Sequence, residues 1–122
     1  AKGADFTVVE GAGGWRVPLA GEESLSDLAI ALGLPVILVV GVRLGCINHA
    51  VLSAEAILRD GLQLAGWVAN IVDPHTSRLE ENLATLAERL PAPCIGRVPR
   101  LSAPSSLAVA SHLDLGILDL PE

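Results

Sequence analysis

Four short apolar segments, separated by stretches with helical spacing, constrain the fold of this 122-residue chain more than any other feature. The segments are rich in Val and Ile and do not alternate with polar residues, which is typical of buried parallel strands. They cover residues 6–9, 36–40, 67–71 and 94–98. This alternation of strand and helix patterns predicts an α/β fold, a three-layer, doubly wound parallel sheet with ligands at the carboxyl ends of its strands.

The helical patterns lie between the predicted strands. Apolar residues recur at intervals of three and four over residues 25–32, 47–58 and 79–90, and a last short helix is expected near residues 105–111. Gly33, Gly61 and the Pro91-Ala92-Pro93 segment stand where these patterns stop, as helix-ending residues do. We expect a single α/β segment over residues 1–122, without an internal repeat.

Charge and composition exclude several classes of function. The chain has 8 Lys and Arg against 14 Asp and Glu, and its basic residues do not cluster, so we expect no nucleic-acid partner. The apolar runs are too short to span a bilayer, and we predict a cytoplasmic protein without a membrane partner. Cys46 and Cys94 lack a CxxC spacing, so neither a disulfide framework nor a zinc site is expected.

A glycine-rich turn after the first predicted strand is the strongest local motif. Glu10 ends the strand, and glycines at three of the next four positions allow backbone N–H groups to approach an anion. A carboxylate beside such a turn suits Mg²⁺ held next to phosphate. The motif is neither GxGxxG nor GxxxxGK[ST], and an ordinary glycine turn with a solvated Glu remains the alternative.

Two further motifs follow the second and third predicted strands. Residues 41–49 lead from a strand into a helix, and the N–H groups near Gly45, with the Asn48 amide, could hold a carboxylate or phosphate. Asn70 interrupts an apolar strand near its carboxyl end, and its amide matches the edge of a purine. A simple turn and a structural Asn explain these positions as well, and Trp15 and Trp67 are expected to pack in the core.

Read in order, these segments resemble dethiobiotin synthetase. The resemblance rests on Val9-Glu10-Gly11-Ala12-Gly13-Gly14-Trp15, on residues 34–49 (LPVILVVGVRLGCINH), on Leu64-Ala65-Gly66-Trp67-Val68-Ala69-Asn70, and on Pro91-Ala92-Pro93. It extends to about Pro99 and covers roughly the C-terminal half of that family's chain. It implies a P-loop NTPase-like fold, present here as its C-terminal half.

The resemblance implies an ATP-dependent and Mg²⁺-dependent ligase of biotin synthesis. Such an enzyme carbamylates one amine of 7,8-diaminopelargonic acid with CO₂ and phosphorylates the carbamate with ATP. The second amine then displaces phosphate from the carbamic-phosphoric anhydride and closes the cyclic urea of dethiobiotin. Catalysis of this kind depends mostly on positioning and on charge neutralisation around the phosphates.

Carried over residue by residue, the resemblance implies one metal ligand and several nucleotide contacts. Glu10 resembles the Mg²⁺ ligand, the glycine turn lies against the nucleotide, and Asn70 resembles the adenine reader. The ATP-binding residues implied are Glu10, Gly11, Ala12, Gly13, Asn70, Ile71, Pro99, Arg100 and Leu101. Gly45, Cys46 and Asn48 resemble the helix start that grips the substrate carboxylate across a homodimer interface.

The sequence departs from the family in two places. Pro104-Ser105-Ser106 stands where the family usually has an acidic residue, which puts a nucleotide contact there in doubt. The Walker A loop and the catalytic Lys and Ser lie N-terminal to this segment in the family, so no catalytic residue is implied here. We expect a fragment of the enzyme that is inactive alone. The alternative is a non-catalytic half-domain, for dimerisation or for pairing with a separate P-loop chain. The motifs at residues 10–15 and 44–49, taken together, argue against a partition-type ATPase.

Overall fold

Three parallel strands form the sheet of this protein, and a computed structural model describes residues 7–118 of it. The strands are β1 (Val36–Gly41), β2 (Leu64–Asn70) and β3 (Cys94–Val98), and they lie in the order β1-β2-β3. Both neighbouring pairs are parallel. The predicted α/β fold with a parallel sheet is therefore confirmed.

The helices lie where the periodicity predicts them, with bounds that differ by at most one residue. They are α1 (Leu25–Leu32), α2 (Cys46–Arg59), α3 (Leu79–Arg89) and α4 (Ser106–Ala110), followed by a 3₁₀ turn at Leu115–Ile117. α1 begins where the Ser24 N–H donates to the Asp27 carboxylate at 2.7 Å, a typical N-terminal cap. It ends at Gly33, whose φ of 64° suits a residue without a side chain.

Apolar side chains cover both faces of β2 and β3. On one face, α2 and α3 pack on the sheet and bury Trp67, Ile57 and Leu86 almost completely. On the other face, residues 109–118 cover Val68 and the adjoining part of β3. Helices and sheet thus form layers, and the sheet in the middle fixes the direction in which every loop leaves it.

The first predicted strand is wrong as far as the structure describes it. Val8 and Val9 lie in no strand and are 77% and 53% exposed, while Phe6 lies outside the described residues. An apolar run becomes a strand only where a neighbouring strand offers free N–H and C=O groups. Among the described strands, none pairs with Val8 or Val9.

The second predicted strand is buried on one face only, although its sequence suggests burial on both. Ile37 and Val39 point away from α2 and are 40% and 62% exposed. In the described part of the chain, the layer over this face covers β2 and β3 but not β1. Leu28, Ile30 and Leu32 of α1 are also exposed.

Two further expectations concern membrane-spanning helices and the two cysteines. Within residues 7–118, no helix combines the length and the apolar character that crossing a bilayer requires. Cys46 and Cys94 are both free thiols, and Cys46 is buried at the start of α2.

The close contact between Gly96 and the segment after α4 gives a prediction about stability. Gly96 forms a β-bridge with Leu113, and a Cβ at this position would overlap the backbone carbonyl oxygen of His112. We expect Gly96→Ala to lower the free energy of unfolding by about 1–3 kcal/mol, because backbone must shift to accommodate the methyl group. Urea or thermal unfolding measures the change.

Gly41→Ala is the matched control for this substitution. A Cβ at Gly41 would lie 3.7 Å from the Val72 Cγ1, an ordinary van der Waals contact. The free energy of unfolding should change by less than about 0.5 kcal/mol. An equal loss of stability in both variants would contradict the assigned contact at Gly96.

Candidate functional site

The carboxyl edge of the sheet brings several of the sequence-predicted residues together. The Ile71 N–H donates to the Val98 carbonyl oxygen at 2.8 Å, and the Val42 N–H donates to the Asn70 carbonyl oxygen at 2.7 Å. These two bonds extend the ladder past the strand ends and hold the three following loops side by side. Asn70 and Ile71 thereby lie next to the segment that begins at Pro99.

The segment after β3 is tied to the loop after β2. Arg100 donates from its Nη1 to the Val72 carbonyl oxygen at 3.3 Å, which fixes residues 99–101 against the neighbouring loop. Pro99 and Leu101 are half-buried, whereas Arg100 is exposed. The predicted nucleotide-contacting residues of β2 and β3 thus form one continuous surface.

The Asn70 side chain is free to recognise a ligand at this edge. It is half-buried, and its amide makes no hydrogen bond with another of the described residues. An amide offers both a donor and an acceptor, which an adenine edge requires. Ile71 is only 8% exposed, so its side chain belongs to the core and its backbone borders the surface.

The start of α2 forms a second candidate site. Gly45 precedes the helix with a φ of 91°, in the left-handed region that favours glycine. The Cys46 N–H donates to the Arg43 carbonyl oxygen at 3.0 Å. The N–H groups of Ile47 and Asn48, in the first turn, have no partner among the described residues. Such free N–H groups carry the positive end of the helix dipole.

A cavity of about 530 Å³ lies between this helix start and α3. Gly45, Cys46 and Asn48, the residues predicted to grip a carboxylate, all line it. Its complete lining is Arg43, Leu44, Gly45, Cys46, Ile47, Asn48, Val51, Asn82, Thr85 and Arg89. Cys46 is buried, with only 6% of its surface exposed.

The cavity is positively charged in a chain whose formal charge is −6. Arg43 and Arg89 line it, no Asp or Glu does, and neither guanidinium has an ion-pair partner in the part of the chain that the structure describes. Two arginines beside free helix N–H groups favour an anionic ligand.

Sequence reasoning missed the contribution of α3 to this cavity. Asn82, Thr85 and Arg89 are three and four residues apart, so they share one face of α3. Their spacing could have identified a polar face, but nothing in the sequence indicates that this face turns towards α2. Packing of Leu83 and Leu86 into the core decides that orientation.

Within the described residues, no hydrogen bond joins the glycine-rich turn after Glu10 to either of the two groups described so far. Gly13 and Gly14 have φ angles of 89° and 118°, which residues with side chains rarely adopt. A Cβ at Gly11 would lie 3.1 Å from the Leu25 Cδ2, so the turn also contacts the start of α1. Glu10 is exposed, and no hydrogen bond joins it to Asn70 or to another described residue.

Four residues, which we call the Asp60 clamp, fix the chain where it leaves the turn. They are Trp15, Arg16, Ser26 and Asp60. Trp15 donates from Nε1 to Asp60 Oδ2 at 2.7 Å, and Arg16 donates from Nη1 and Nη2 to the two carboxylate oxygens at 2.8 Å each. Arg16 Nη1 also donates to the buried Ser26 hydroxyl at 3.0 Å.

The clamp changes the protonation equilibria of its charged members. Hydrogen bonds from Arg16, and then from Trp15, hold the pKa of the Asp60 carboxyl below its usual value. The same hydrogen bond from Arg16 to Asp60 raises the pKa of the Arg16 guanidinium. Both shifts have the sign expected when charged partners stabilise each other.

The clamp and the cavity beside Gly45 lie at opposite ends of α2. Asp60 follows the last residue of the helix, and Gly45 precedes the first. Fourteen residues at a rise of 1.5 Å separate the two ends by about 20 Å. The structure thus brings the predicted sites of β2, β3 and α2 to the carboxyl edge, while the chain after Glu10 is fastened near the amino edge.

The donors available near Glu10 fit Mg²⁺ only when phosphate completes the coordination. Within residues 7–118, no three His, Cys, Asp or Glu side chains form a group that could hold a metal ion. Mg²⁺ commonly takes one or two carboxylates, with phosphate oxygens and water as its other ligands. Glu10 and a glycine turn therefore fit a metal that arrives with a nucleotide, and do not fit a metal held by protein alone.

Comparison with known proteins assigns the chain to a class. A family model described as an AAA domain matches residues 1–106. The chain belongs to this AAA-domain family, and its parallel α/β sheet agrees with a P-loop NTPase-like fold.

Curated relatives within this class carry the name ATP-dependent dethiobiotin synthetase BioD. The chain is 83% identical over 112 residues to the protein of Pseudomonas paraeruginosa, 81% to that of Pseudomonas aeruginosa and 65% to that of Cellvibrio japonicus. Each match covers 92% of this chain and 49% of the relative, so the chain spans about half the length of these relatives. The resemblance to dethiobiotin synthetase is confirmed.

The lowered pKa of Asp60 predicts how stability depends on pH. A carboxyl whose pKa is lower in the folded state stabilises the protein above its unfolded pKa of about 3.9. This stabilisation is lost as the pH falls from there through the folded pKa. Asp60→Asn should therefore be less stable than the wild type at neutral pH, and the difference should shrink at acidic pH. Urea unfolding from pH 7 downwards measures it, and a constant difference would contradict the assignment.

Proposed function

We propose that this chain is the C-terminal portion of an ATP-dependent dethiobiotin synthetase. The complete enzyme carboxylates 7,8-diaminopelargonic acid with CO₂ and closes the ring through a carbamate and a carbamic-phosphoric anhydride. The 83% identity over 112 residues with a BioD protein carries this proposal. In it, residues 1–122 supply binding surfaces, and the groups that transfer the phosphoryl group belong to the other half of the enzyme.

In this proposal the carboxyl edge of the sheet holds the nucleotide. The Asn70 side-chain amide, which has no hydrogen-bond partner among the described residues, binds the adenine, and residues 99–101 pass beside the base. The bond from Arg100 to the Val72 carbonyl supports this role, because it holds the segment against the loop that follows Asn70. Glu10 and the turn of Gly11, Ala12 and Gly13 contact the phosphate end, where a bound Mg²⁺ supplies positive charge.

The cavity at the start of α2 holds the carboxylate of the diamine. Its two arginines and its free N–H groups suit one negative charge, and its apolar residues, Leu44, Ile47 and Val51, suit an aliphatic chain. Leu44 is 98% exposed and Leu52 is 57% exposed. These exposed apolar residues, one just before α2 and one on it, support contact with a second copy, and we propose a homodimer in which the cavity faces the partner's substrate.

A second candidate function is a non-catalytic half-domain that pairs with a separate P-loop chain. The exposed apolar face of β1 favours it, because Ile37 and Val39 would be covered by such a partner. The two candidates differ in what the purified 122-residue chain binds. A stable complex with a separate P-loop protein from the same organism supports the second, and an uninterrupted longer polypeptide supports the first.

Glu10→Gln tests the nucleotide end of the proposal in the full-length enzyme. We expect Mg²⁺-dependent turnover to fall far more than nucleotide affinity, because the carboxylate charge matters most as charge develops on the phosphates. Steady-state kinetics and calorimetric titration with ATP measure the two quantities. Glu22→Gln removes an exposed carboxylate outside the turn and should change neither. Equal losses of turnover and affinity in Glu10→Gln would contradict the assignment.

Asn48→Ala tests the carboxylate end. A hydrogen bond to a charged group contributes about 1.5–3 kcal/mol, so the KM for the diamine should rise about ten- to a hundred-fold. The KM for ATP should stay nearly constant. His49→Ala is the matched control, since His49 is exposed and does not line the cavity. If Asn48→Ala lowers the melting temperature and leaves both KM values unchanged, Asn48 has only a structural role.

A further inference from the structure

We propose that Asp60 is a positioning residue for the glycine-rich turn of residues 10–14. Its carboxylate fixes the point where the chain leaves the turn, and this limits the positions from which Glu10 can reach a Mg²⁺-bound phosphate. The inference rests on the function proposed above for Glu10. Asp60 itself follows α2, remote in sequence from the residues it would position.

The Asp60 clamp holds residues 15 and 16 through a single carboxylate. Two consecutive residues, Trp15 and Arg16, direct three N–H groups at one carboxylate, all within 2.8 Å. The Asp60 side chain is only 11% exposed, so water competes weakly for these bonds. A bidentate guanidinium contact also fixes orientation, which a single ion pair does not. The chain at residues 15–16 is therefore held in both position and direction.

The clamp also joins the turn to the helix that follows it. Arg16 donates to Ser26, which is 1% exposed and lies in the first turn of α1. Gly11, on the other side of the turn, lies against Leu25 of the same helix. The turn is thus held at its beginning by α1 and at its end by Asp60. Loss of Asp60 removes one of these two attachments and loosens Arg16 from the second.

Helix stability alone does not account for an Asp at this position. Asp60 is the C-terminal cap of α2, where the helix dipole is negative and a carboxylate is unfavourable. The positive charge of Arg16 offsets this effect. The main structural role of Asp60 is therefore its contacts with Trp15 and Arg16, and its position as the C-cap of α2 is secondary.

The turn needs such a restraint because its glycines leave the backbone conformation largely unconstrained. Gly13 and Gly14 have access to more backbone conformations than any other residue type. Glu10 lies five residues before Trp15, so the clamp confines the Glu10 Cα to within about 17 Å of a fixed point. Residues that orient a metal ligand commonly change metal affinity about ten- to a hundred-fold when they are mutated.

Asp60→Asn in the full-length enzyme tests the inference with two readouts. Amide hydrogen exchange of residues 10–17 should become faster, while exchange in β2 should remain unchanged, which excludes global unfolding. The Mg²⁺ concentration for half-maximal activity should rise about ten-fold. The kcat at saturating Mg²⁺ should change much less, because Asp60 touches neither substrate nor metal. Asp60→Glu keeps the charge and should restore part of the Mg²⁺ affinity.

Glu81→Gln is the matched control. It removes the same charge from an exposed ion pair with Arg78, at 3.2 Å on α3, and should change neither readout. Unchanged exchange at residues 10–17 in Asp60→Asn, or an unchanged Mg²⁺ requirement, would overturn the inference. A wild-type enzyme without turnover that depends on Mg²⁺ and ATP would instead overturn the proposed function, and the wild-type assay alone reveals that result.

Discussion

Parallel pairing of three strands with their ends at one edge is the constraint on which the rest of this structure depends. The backbone bonds from Val42 to Asn70 and from Ile71 to Val98 carry the pairing beyond the strands. They place the loops after β1, β2 and β3 side by side, although about thirty residues of chain separate each from the next. The surface at Asn70 and residues 99–101 lies at the same edge as the start of α2 for this reason, because parallel strands bring all their carboxyl ends to the same side.

Helix α2 has a different role at each end. Its N-terminus offers free N–H groups to a cavity with two arginines, which fits the carboxylate of an aliphatic substrate. Its C-terminus carries Asp60, which holds Trp15 and Arg16 through three hydrogen bonds. The buried side chains between them, Ala50, Ala54 and Ile57, keep the helix fixed on the sheet. One rigid element therefore connects a proposed substrate site with the turn proposed to approach the phosphates.

Local patterns predicted most of the elements because each depends on neighbouring residues. The strand at residues 94–98 and the helix at residues 25–32 were predicted with the bounds that the structure gives them. The prediction of a strand at residues 8 and 9 fails for the opposite reason. Their apolar side chains suit a strand, but pairing needs a partner, and none of the described strands provides one. Exposure of Ile37 and Val39 has the same origin, since burial on the second face depends on a layer that residues 109–118 provide only over β2 and β3.

The sequence by itself determined the fold class, the three loops at the carboxyl edge and the family, because motifs such as the glycine turn and the helix start at Gly45 are contiguous in the chain. Tertiary structure alone decided which residues meet across long separations. Arg89 reaches the cavity of α2 because the core fixes the rotation of α3. Asp60 meets Arg16 across 44 residues because the chain after the glycine turn runs to the far end of α2. Contacts of this kind depend on packing between elements, which no local pattern encodes.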